Sequence, residues 1–332
     1  MHQSFSNPLR FTPILMEKIW GGQALKDVLQ KKAPFEAKIG ESWEISGWGD
    51  NQTVVSEGDF AGMSLGELFS RDPSGLAGAS ATGRKNFPLL FKFIDAASNL
   101  SVQVHPNKEQ ARIHNWGESG KTECWYVADA REGAEIIVGF KRPVSRAEVE
   151  NAVKTGTLEQ LLNYIPVFPG DVLFIPAGTV HAILEGALIY EVQEESDTTL
   201  RLYDWNRRAP DGSFRELHLP KALDILDYAG VGIHKPVPVL LRKTDEYRYE
   251  SRCRCSNFAL EQISFTADAN VALESKNSFQ VLSVIEGLLD LVCSEQSATR
   301  LSKGDSVLVP ATVQNVSVIG FAGSTVLVTY VP

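Results

Sequence analysis

The sequence predicts a mainly β protein in which one barrel-like β unit occurs twice, with a small helical insertion in the first copy. The first observation is a succession of short apolar runs separated by turn residues. The second is an internal repeat, because the spacing of Gly170 and Pro176 occurs again at Gly304 and Pro310. The third is a pair of helix-start signals at residues 145–164, between two predicted strands.

The composition is that of a folded protein of about two domains. The chain has 332 residues, of which 43% are hydrophobic and 22% are charged, so it can bury a substantial core. Its formal net charge is −9, and it contains no run of five or more basic residues. These charges argue against a nucleic acid or an anionic membrane as the partner, and they favour a small molecule.

The termini and the cysteines predict a cytoplasmic protein. Residues 1–13 do not have the pattern of a signal peptide, and no apolar stretch is long enough for a transmembrane helix. The four cysteines include no Cys-x-x-Cys pair, so we expect reduced thiols without disulfides. We expect a monomer or a weak homo-oligomer.

Apolar runs and period-two alternation predict strands along most of the chain. In the first part these are residues 41–46, 88–96, 100–105, 121–127, 134–140, 172–175, 188–194 and 199–203. Predicted helices are 23–32, 64–70, 106–115, 145–164 and 219–228, whereas the small residues of 71–86 predict an exposed loop. An extended connector from His234 predicts a boundary between domains 1–235 and 236–332.

The clearest local pattern is residues 168–183. Gly170 provides the first turn, residues 172–175 form a short buried strand, and a second turn at Gly178 leads to His181. Taken alone, this pattern also fits an ordinary strand-ending turn with a hydrogen-bonded core histidine. Its spacing resembles the second motif of the cupin family, whose fold is a jelly roll, or double-stranded β-helix. In that family the histidine is a metal ligand inside the barrel.

The second copy of this pattern, residues 304–315, lacks the histidine. Thr312 stands in place of the second glycine and Asn315 in place of the histidine. Residues 279–292 similarly repeat the pattern of residues 123–139. We therefore expect the second barrel to pack without binding a ligand.

A polar row on one predicted strand completes a candidate metal site. Ser101, Gln103 and His105 alternate with valines, so the polar side chains share one face. An inward polar row costs several kcal/mol unless its groups are paired or bind a ligand. Together with Glu123 and His181, Gln103 and His105 provide two imidazoles, a carboxylate and an amide oxygen, a set that suits a divalent ion and above all Zn²⁺.

Five segments occur in order along nearly the whole chain: Ile19-Trp-Gly-Gly22, Ser101-Val-Gln-Val-His-Pro106, Lys121-Thr-Glu-Cys-Trp125, Pro176-Ala-Gly-Thr-Val-His181, and Glu191 followed by Ser196-Asp-Thr-Thr-Leu-Arg201. Together they resemble the class I, zinc-dependent mannose-6-phosphate isomerases of the short bacterial type. The resemblance implies a double jelly roll whose first domain is catalytic. It also implies zinc ligands Gln103, His105, Glu123 and His181, an active-site Arg201, and pocket residues Ser101, Lys121 and Glu191.

The implied reaction interconverts D-mannose 6-phosphate and D-fructose 6-phosphate through an enediol(ate). Glu191 is a natural base, with a zinc-bound hydroxide as the alternative, and Arg201 suits electrostatic stabilisation because a guanidinium stays charged. Ser101, Lys121 and Arg201 are the candidates for binding the sugar phosphate. Two other functions remain open: an isomerase or epimerase for another sugar or sugar phosphate, and a regulatory cupin that binds sugar without turnover.

Overall fold

A computed structural model describes residues 4–32, 34, 36–208, 212–230, 235–294 and 297–332. The predicted mainly β class with two jelly-roll barrels is confirmed. The strands before residue 235 are β1 (Leu9–Thr12), β2 (Ile14–Gly22), β3 (Ile39–Ile45), β4 (Gly47–Trp48), β5 (Asn51–Gln52), β6 (Val54–Val55), β7 (Leu89–Asp95), β8 (Val102–Val104), β9 (Glu123–Ala130), β10 (Glu135–Phe140), β11 (Leu162–Pro166), β12 (Val172–Ile175), β13 (His181–Ile183), β14 (Ala187–Glu194) and β15 (Leu200–Tyr203).

Short helices lie between these strands, and the described residues after 235 form strands alone as regular structure. The helices are α1 (Ala24–Asp27), α2 (Leu65–Arg71), α3 (Pro73–Ala77), α4 (Lys108–Ile113), α5 (Arg146–Thr155) and α6 (Leu219–Ile225), with 3₁₀ turns at Ala79–Ala81 and Leu158–Gln160. The later strands are β16 (Val239–Lys243), β17 (Tyr247–Arg254), β18 (Ala259–Phe265), β19 (Ala269–Ala272), β20 (Gln280–Glu286), β21 (Leu288–Ser294), β22 (Ser297–Ser302), β23 (Ser306–Val309), β24 (Ser317–Gly320) and β25 (Thr325–Tyr330).

The first barrel consists of two antiparallel sheets. One has the order β12-β9-β14-β7-β3-β2 and the other the order β11-β10-β13-β8-β15. Apolar side chains from both sheets, among them Trp125 on β9 and Val138 on β10, pack in one buried cluster between them. The two inner faces therefore enclose an interior in which any polar side chain must find a partner.

Helices cover the outer face of the five-stranded sheet. Val102 and Val104 of β8 pack with Val149 of α5 and Leu223 of α6 in a second buried cluster. Because side chains alternate along a strand, this outward packing directs Gln103 to the barrel interior. Packing against α5 and α6 thus fixes which face of β8 points to the barrel interior.

The second barrel has sheets of the order β16-β17-β18-β25-β20-β23-β1-β6 and β19-β24-β21-β22, around an interior of branched apolar side chains. The larger sheet also packs, through its other face, against the outer face of the six-stranded sheet. Phe91, Tyr190, Leu260 and Leu327 belong to the buried cluster that joins the two barrels. The polar barrel is therefore supported on one side by helices and on the other by a second β barrel.

The N-terminal segment crosses the predicted domain boundary. Leu9 of β1 pairs with Leu308 of β23, so the first strand belongs to a sheet built mainly from residues after 235. The start of the predicted connector, His234, lies outside the described residues. The boundary between residues 235 and 236 stays a prediction.

Several local predictions need correction. Residues 71–86 contain α3 and a 3₁₀ turn, and Leu76 and Ala77 are buried, because Asp72 caps α3 and small residues allow close packing. The capping boxes at Ser64 and Ser145 are confirmed, whereas the one predicted at Thr157 is wrong, because the Thr157 side chain makes no capping hydrogen bond. In the 145–164 insertion, however, the helical part ends at residue 160, because residues 162–166 pair with β10 as a strand.

Candidate metal centre and active site

Two facing rows of side chains, set by strand register, build the site. On the five-stranded sheet, Gln103 of β8 lies between His181 of β13 and Arg201 of β15. On the six-stranded sheet, Glu191 of β14 lies between Trp125 of β9 and Lys92 of β7. Residues directly opposite in neighbouring strands point to the same face, so each row presents its side chains together.

The histidines and the carboxylate of the predicted ligand set converge. Ligand atoms of His105, Glu123 and His181 lie within 4.8 Å of one another, and all three residues are buried. His105 Nε2 is 3.2 Å from Glu123 Oε1, and His181 Nε2 is 3.8 Å from Glu123 Oε2. The two imidazole rings are 4.7 Å apart between centroids. This separation allows both rings to bind one ion with the carboxylate.

The second nitrogen of each imidazole fixes the tautomer. His105 Nδ1 lies 2.8 Å from the carbonyl oxygen of Thr198, and His181 Nδ1 lies 2.9 Å from that of Thr179. A carbonyl can only accept, so each Nδ1 carries the proton and donates it. Each Nε2 therefore presents a lone pair to Glu123, as a metal ligand must.

A tight turn places His181 beside His105. Gly178 has φ +89, a left-handed conformation that a residue with a side chain rarely adopts, and its N–H donates to the carbonyl of His105. A β-carbon at Gly178 would also lie 3.1 Å from the carbonyl oxygen of Ile225. The glycine of the sequence pattern thus fastens the β12–β13 turn to the end of β8.

Burial and neighbouring charges set the protonation states of this cluster. Burial lowers the pKa of His105 to about 3, with a further decrease from the Lys121 ammonium, so the ring is neutral. Burial opposes the charge of Glu123, yet the Lys121 ammonium holds the pKa of this carboxyl well below its usual value. Lys121 Nζ lies 3.1 Å from Glu123 Oε1. The cluster thus combines one carboxylate with two neutral imidazoles, the states that bind a divalent cation.

Buried polar atoms without partners indicate that the cluster is incomplete by itself. Neither His181 Nε2 nor Glu123 Oε1 has a partner with hydrogen-bond geometry among the described residues. Buried polar groups are normally satisfied, and an unsatisfied one typically costs about 1–3 kcal/mol. The donor set, two imidazole nitrogens and a carboxylate with the Gln103 amide in the adjacent strand position, fits a bound metal ion.

A polar cavity of about 310 Å³ adjoins the cluster. Its lining includes the predicted site residues Ser101, Gln103, Lys121, Glu191 and Arg201. Lys121 and Trp125 line it and also contact Glu123, so they connect the cavity to the three buried ligands. The volume is at the low end of the range for small-molecule sites.

Glu191 lies in this cavity in an environment that favours its neutral form. Burial, reinforced by the negative charge of Glu123, raises its pKa to about 8. Trp125 Nε1 donates to Glu191 Oε1 at 2.8 Å, and Lys92 Nζ is 3.9 Å from Oε2. A carboxyl that titrates near neutrality and is held by two neighbours can accept or donate a proton.

Sequence reasoning missed Lys92 as a functional candidate. Its ammonium lies 4.0 Å from Glu41, 3.8 Å from Asp197 and 4.4 Å from the ring centre of Trp43. Lys92 is only 3% exposed and lines the cavity. The signal that could have revealed it was a single lysine at the centre of the apolar run 89–95.

Arg201 has neighbours that the sequence did not indicate. Its backbone N–H donates to His218 Nδ1 at 3.2 Å, and its carbonyl accepts from the His218 N–H at 2.8 Å. Burial and the Arg215 guanidinium lower the pKa of Arg201. Arg201, Arg215 and His218 all line the cavity. No regular spacing relates them, so only the folded chain reveals this basic group.

Comparison with known proteins identifies the family. The catalytic-domain model of type I phosphomannose isomerase matches residues 9–142, and the cupin-domain model of mannose-6-phosphate isomerase matches residues 251–330. Mannose-6-phosphate isomerase ManA of Bacillus subtilis is 37% identical over 322 residues, which is 96% of this chain and 97% of that protein. The chain belongs to the type I phosphomannose isomerase family.

Two further comparisons support membership in the phosphomannose isomerase family. Mannose-6-phosphate isomerase of Streptococcus mutans is 36% identical over 93% of this chain and 94% of its own. The crystal structure of mannose 6-phosphate isomerase from Bacillus subtilis superposes with a TM-score of 0.89, at 33% identity, over 99% of this chain and 100% of that one. The resemblance that the sequence motifs indicated is therefore confirmed.

Proposed function

We propose that the protein is a metal-dependent aldose–ketose isomerase that interconverts D-mannose 6-phosphate and D-fructose 6-phosphate. The observation that carries this proposal is the convergence of two imidazole lone pairs on Glu123 beside a polar cavity. Membership in the phosphomannose isomerase family supports the substrate. Five cationic side chains and three acidic ones line the cavity, and the excess of positive charge suits a small anionic sugar.

His105, Glu123, His181 and Gln103 would hold the metal, and the ligand types favour Zn²⁺. A bound divalent ion would act as a Lewis acid that stabilises negative charge on the oxygens of an enediol(ate). Lys121 holds Glu123 in its charged form through the 3.1 Å contact. The backbone carbonyls of Thr198 and Thr179 keep both Nε2 atoms unprotonated.

We assign proton transfer to Glu191. Its carboxylate removes the proton from C2 of the open-chain aldose, and the C–H electron pair forms the C1–C2 double bond of the enediol(ate). The π pair of the C1 carbonyl moves onto the C1 oxygen, which takes the proton of the C2 hydroxyl. The proton held by Glu191 is then delivered to C1 as the C2 oxygen becomes the carbonyl. Lys92 and the Trp125 N–H position the Glu191 carboxyl, and Arg201 contributes positive charge to the same cavity.

We also propose that the enzyme acts in the cytoplasm, where sugar phosphates are metabolised. The four cysteines are free thiols, which agrees with a reducing compartment. Among the described residues, no helix has the length and apolar character needed to cross a membrane.

The test is a coupled assay that detects fructose 6-phosphate formed from mannose 6-phosphate. We expect turnover by the metal-loaded protein, loss of turnover after chelation, and recovery on addition of Zn²⁺ alone. Glu191→Gln should lower kcat by about 10²–10⁴-fold without loss of metal. Tight binding of mannose 6-phosphate without turnover in the metal-loaded protein would instead identify a sugar-binding regulatory protein.

A further inference from the structure

A basic group lies at one side of the cavity, and two of its three members have no role so far. It consists of Arg201 on β15 and of Arg215 and His218 in the segment that precedes α6. We propose that Arg215 and His218 act with Arg201 as the subsite that binds the substrate's phosphate. This inference rests on the proposed function, because it requires a phosphorylated substrate in this cavity.

The first support is an excess of positive charge. Asp204 pairs with both Arg207, at 2.6 Å, and Arg215, at 3.4 Å. Arg201 has no ion pair within 4 Å among the described residues, and its buried Nε has no hydrogen-bond partner there. The Arg201 and Arg215 guanidinium groups are close enough to repel each other, and of the two only Arg215 has an ion pair, with a carboxylate that Arg207 also binds. Such a pair can bind an anion.

The second support is the tautomer of His218. Its Nδ1 accepts the backbone N–H of Arg201, so the neutral ring carries its proton on Nε2. Nε2 lies 3.8 Å from Glu216, whose side chain is 82% exposed and can move into solvent. His218 therefore offers an N–H donor beside the two arginines, and its orientation is fixed by both backbone groups of Arg201.

The third support is position relative to the metal ligands. Arg201 is two strands from His181 in the row β13-β8-β15, so their α-carbons are about 10 Å apart at the usual strand spacing. This separation suits an open six-carbon sugar whose carbonyl end is near the metal ligands and whose phosphate is near Arg201.

Lys121, the other cationic candidate for the phosphate, is engaged elsewhere. Its ammonium is 3.1 Å from Glu123 and 3.4 Å from His105 Nε2, so it belongs to the metal cluster. A phosphate bound there would compete with Glu123 for Lys121. The cavity thus has a carbonyl end at Glu123 and Lys121 and a phosphate end at Arg201, Arg215 and His218.

The decisive variant is Arg215→Ala in the metal-loaded full-length enzyme. Loss of a charge-assisted contact should raise the KM for mannose 6-phosphate and the inhibition constant of inorganic phosphate by about 10- to 100-fold. Inhibition by D-mannitol, which lacks a phosphate, and kcat should change less than about threefold. Arg215→Lys should recover part of the loss, because the charge remains but the bidentate geometry does not.

Arg208→Ala is the matched control. Arg208 is in the same segment and carries the same charge, but it contacts Gly212 and Phe214 and does not line the cavity. It should leave KM and phosphate inhibition unchanged. His218→Asn retains an acceptor for the Arg201 N–H, but its shorter side chain cannot place an N–H donor where Nε2 lies. It should raise the inhibition constant of inorganic phosphate about tenfold or less.

Three results would overturn the assignment. The first is an inhibition constant of inorganic phosphate that is unchanged in Arg215→Ala. The second is that Arg215→Ala weakens inhibition by inorganic phosphate and by D-mannitol equally. The third is that Arg208→Ala raises KM and the phosphate inhibition constant as much as Arg215→Ala does. Calorimetric titration with inorganic phosphate tests the subsite independently of turnover. If wild-type protein binds phosphate and Arg215→Ala does not, while neither forms fructose 6-phosphate, the proposed function fails and the anion site stands.

Discussion

The two barrels share one strand arrangement but have different interiors. In the first, the order β12-β9-β14-β7 faces β11-β10-β13-β8, and in the second, β23-β20-β25-β18 faces β22-β21-β24-β19. Ile175 pairs with Glu123 in the first barrel, and Val309 pairs with Gln280 in the second. Glu123 and Gln280 therefore occupy equivalent positions in the two barrels. The sequence repeat had instead aligned Glu123 with residue 279, one residue earlier.

The surroundings of this position decide what it can do. Glu123 lies among two histidines and a lysine, whereas the interior around Gln280 contains Leu282, Val309 and Val318. Asn315, which replaces the ligand histidine, is exposed and has φ +56, so its backbone turns differently from that at His181. The same scaffold supports a candidate metal site in one copy and, in the other, a largely apolar interior whose buried Glu261 is satisfied by Tyr249, Tyr330 and Lys276.

The strongest test of this contrast is Glu123→Gln. Removal of the carboxylate should release the metal and lower kcat/KM by at least about 10³-fold, because the charge balance of the cluster is lost. Metal analysis and the coupled assay measure the two effects. Gln280→Glu, the opposite exchange at the matched position, should destabilise the fold without creating a second metal site. Retention of full activity by Glu123→Gln would remove this residue from the metal site.

The next largest effect is expected in the core of the second barrel. Leu282 is fully buried among branched side chains, so Leu282→Ala should lower the free energy of unfolding by about 2–5 kcal/mol. Denaturant unfolding measures this loss. The metal content and kcat of the protein that remains folded should be unchanged. A drop in metal content would show that the second barrel controls the site rather than only supporting it.

A smaller effect is expected from a buried carboxyl beside the first barrel. Burial raises the pKa of Glu195 to about 8, above its unfolded value of 4.5. The folded state therefore favours the protonated form, and this contribution to stability is lost as pH rises from about 5 to 8. Glu195→Gln should be more stable than wild type by about 1–2 kcal/mol at pH 8.5. Thermal unfolding should show little difference at pH 5, and a constant difference at all pH values would contradict this cause.

The smallest expected effect is at Gln280. Its Oε1 is buried without a hydrogen-bond partner among the described residues, although Nε2 donates to the carbonyl of Glu274 at 3.3 Å. Gln280→Leu removes this amide from an apolar interior, so we expect a gain of about 1 kcal/mol and unchanged kcat. Urea unfolding midpoints would measure the gain. A loss of more than about 1 kcal/mol would mean that the amide stabilises the second barrel.

Much of the scaffold was predictable because its signals are local. Alternation along β8 and the glycine-containing turn before His181 indicate which side chains enter the barrel. The capping boxes at Ser64 and Ser145 determine where helices begin. The short helix α3 was missed because its burial depends on packing against distant parts of the chain, including Thr312, whose hydroxyl contacts the carbonyl of Gly75.

The sequence by itself determined the mainly β class, the repeated barrel and the identity of the candidate metal ligands, because residue type, alternation and turn chemistry are properties of neighbouring residues. The tertiary structure alone decided that Lys92 lies beside Glu191 and that Arg215 and His218 lie beside Arg201. These contacts depend on strand register and on the path of the segment before α6. Register is fixed by the summed burial of whole sheets rather than by any short motif.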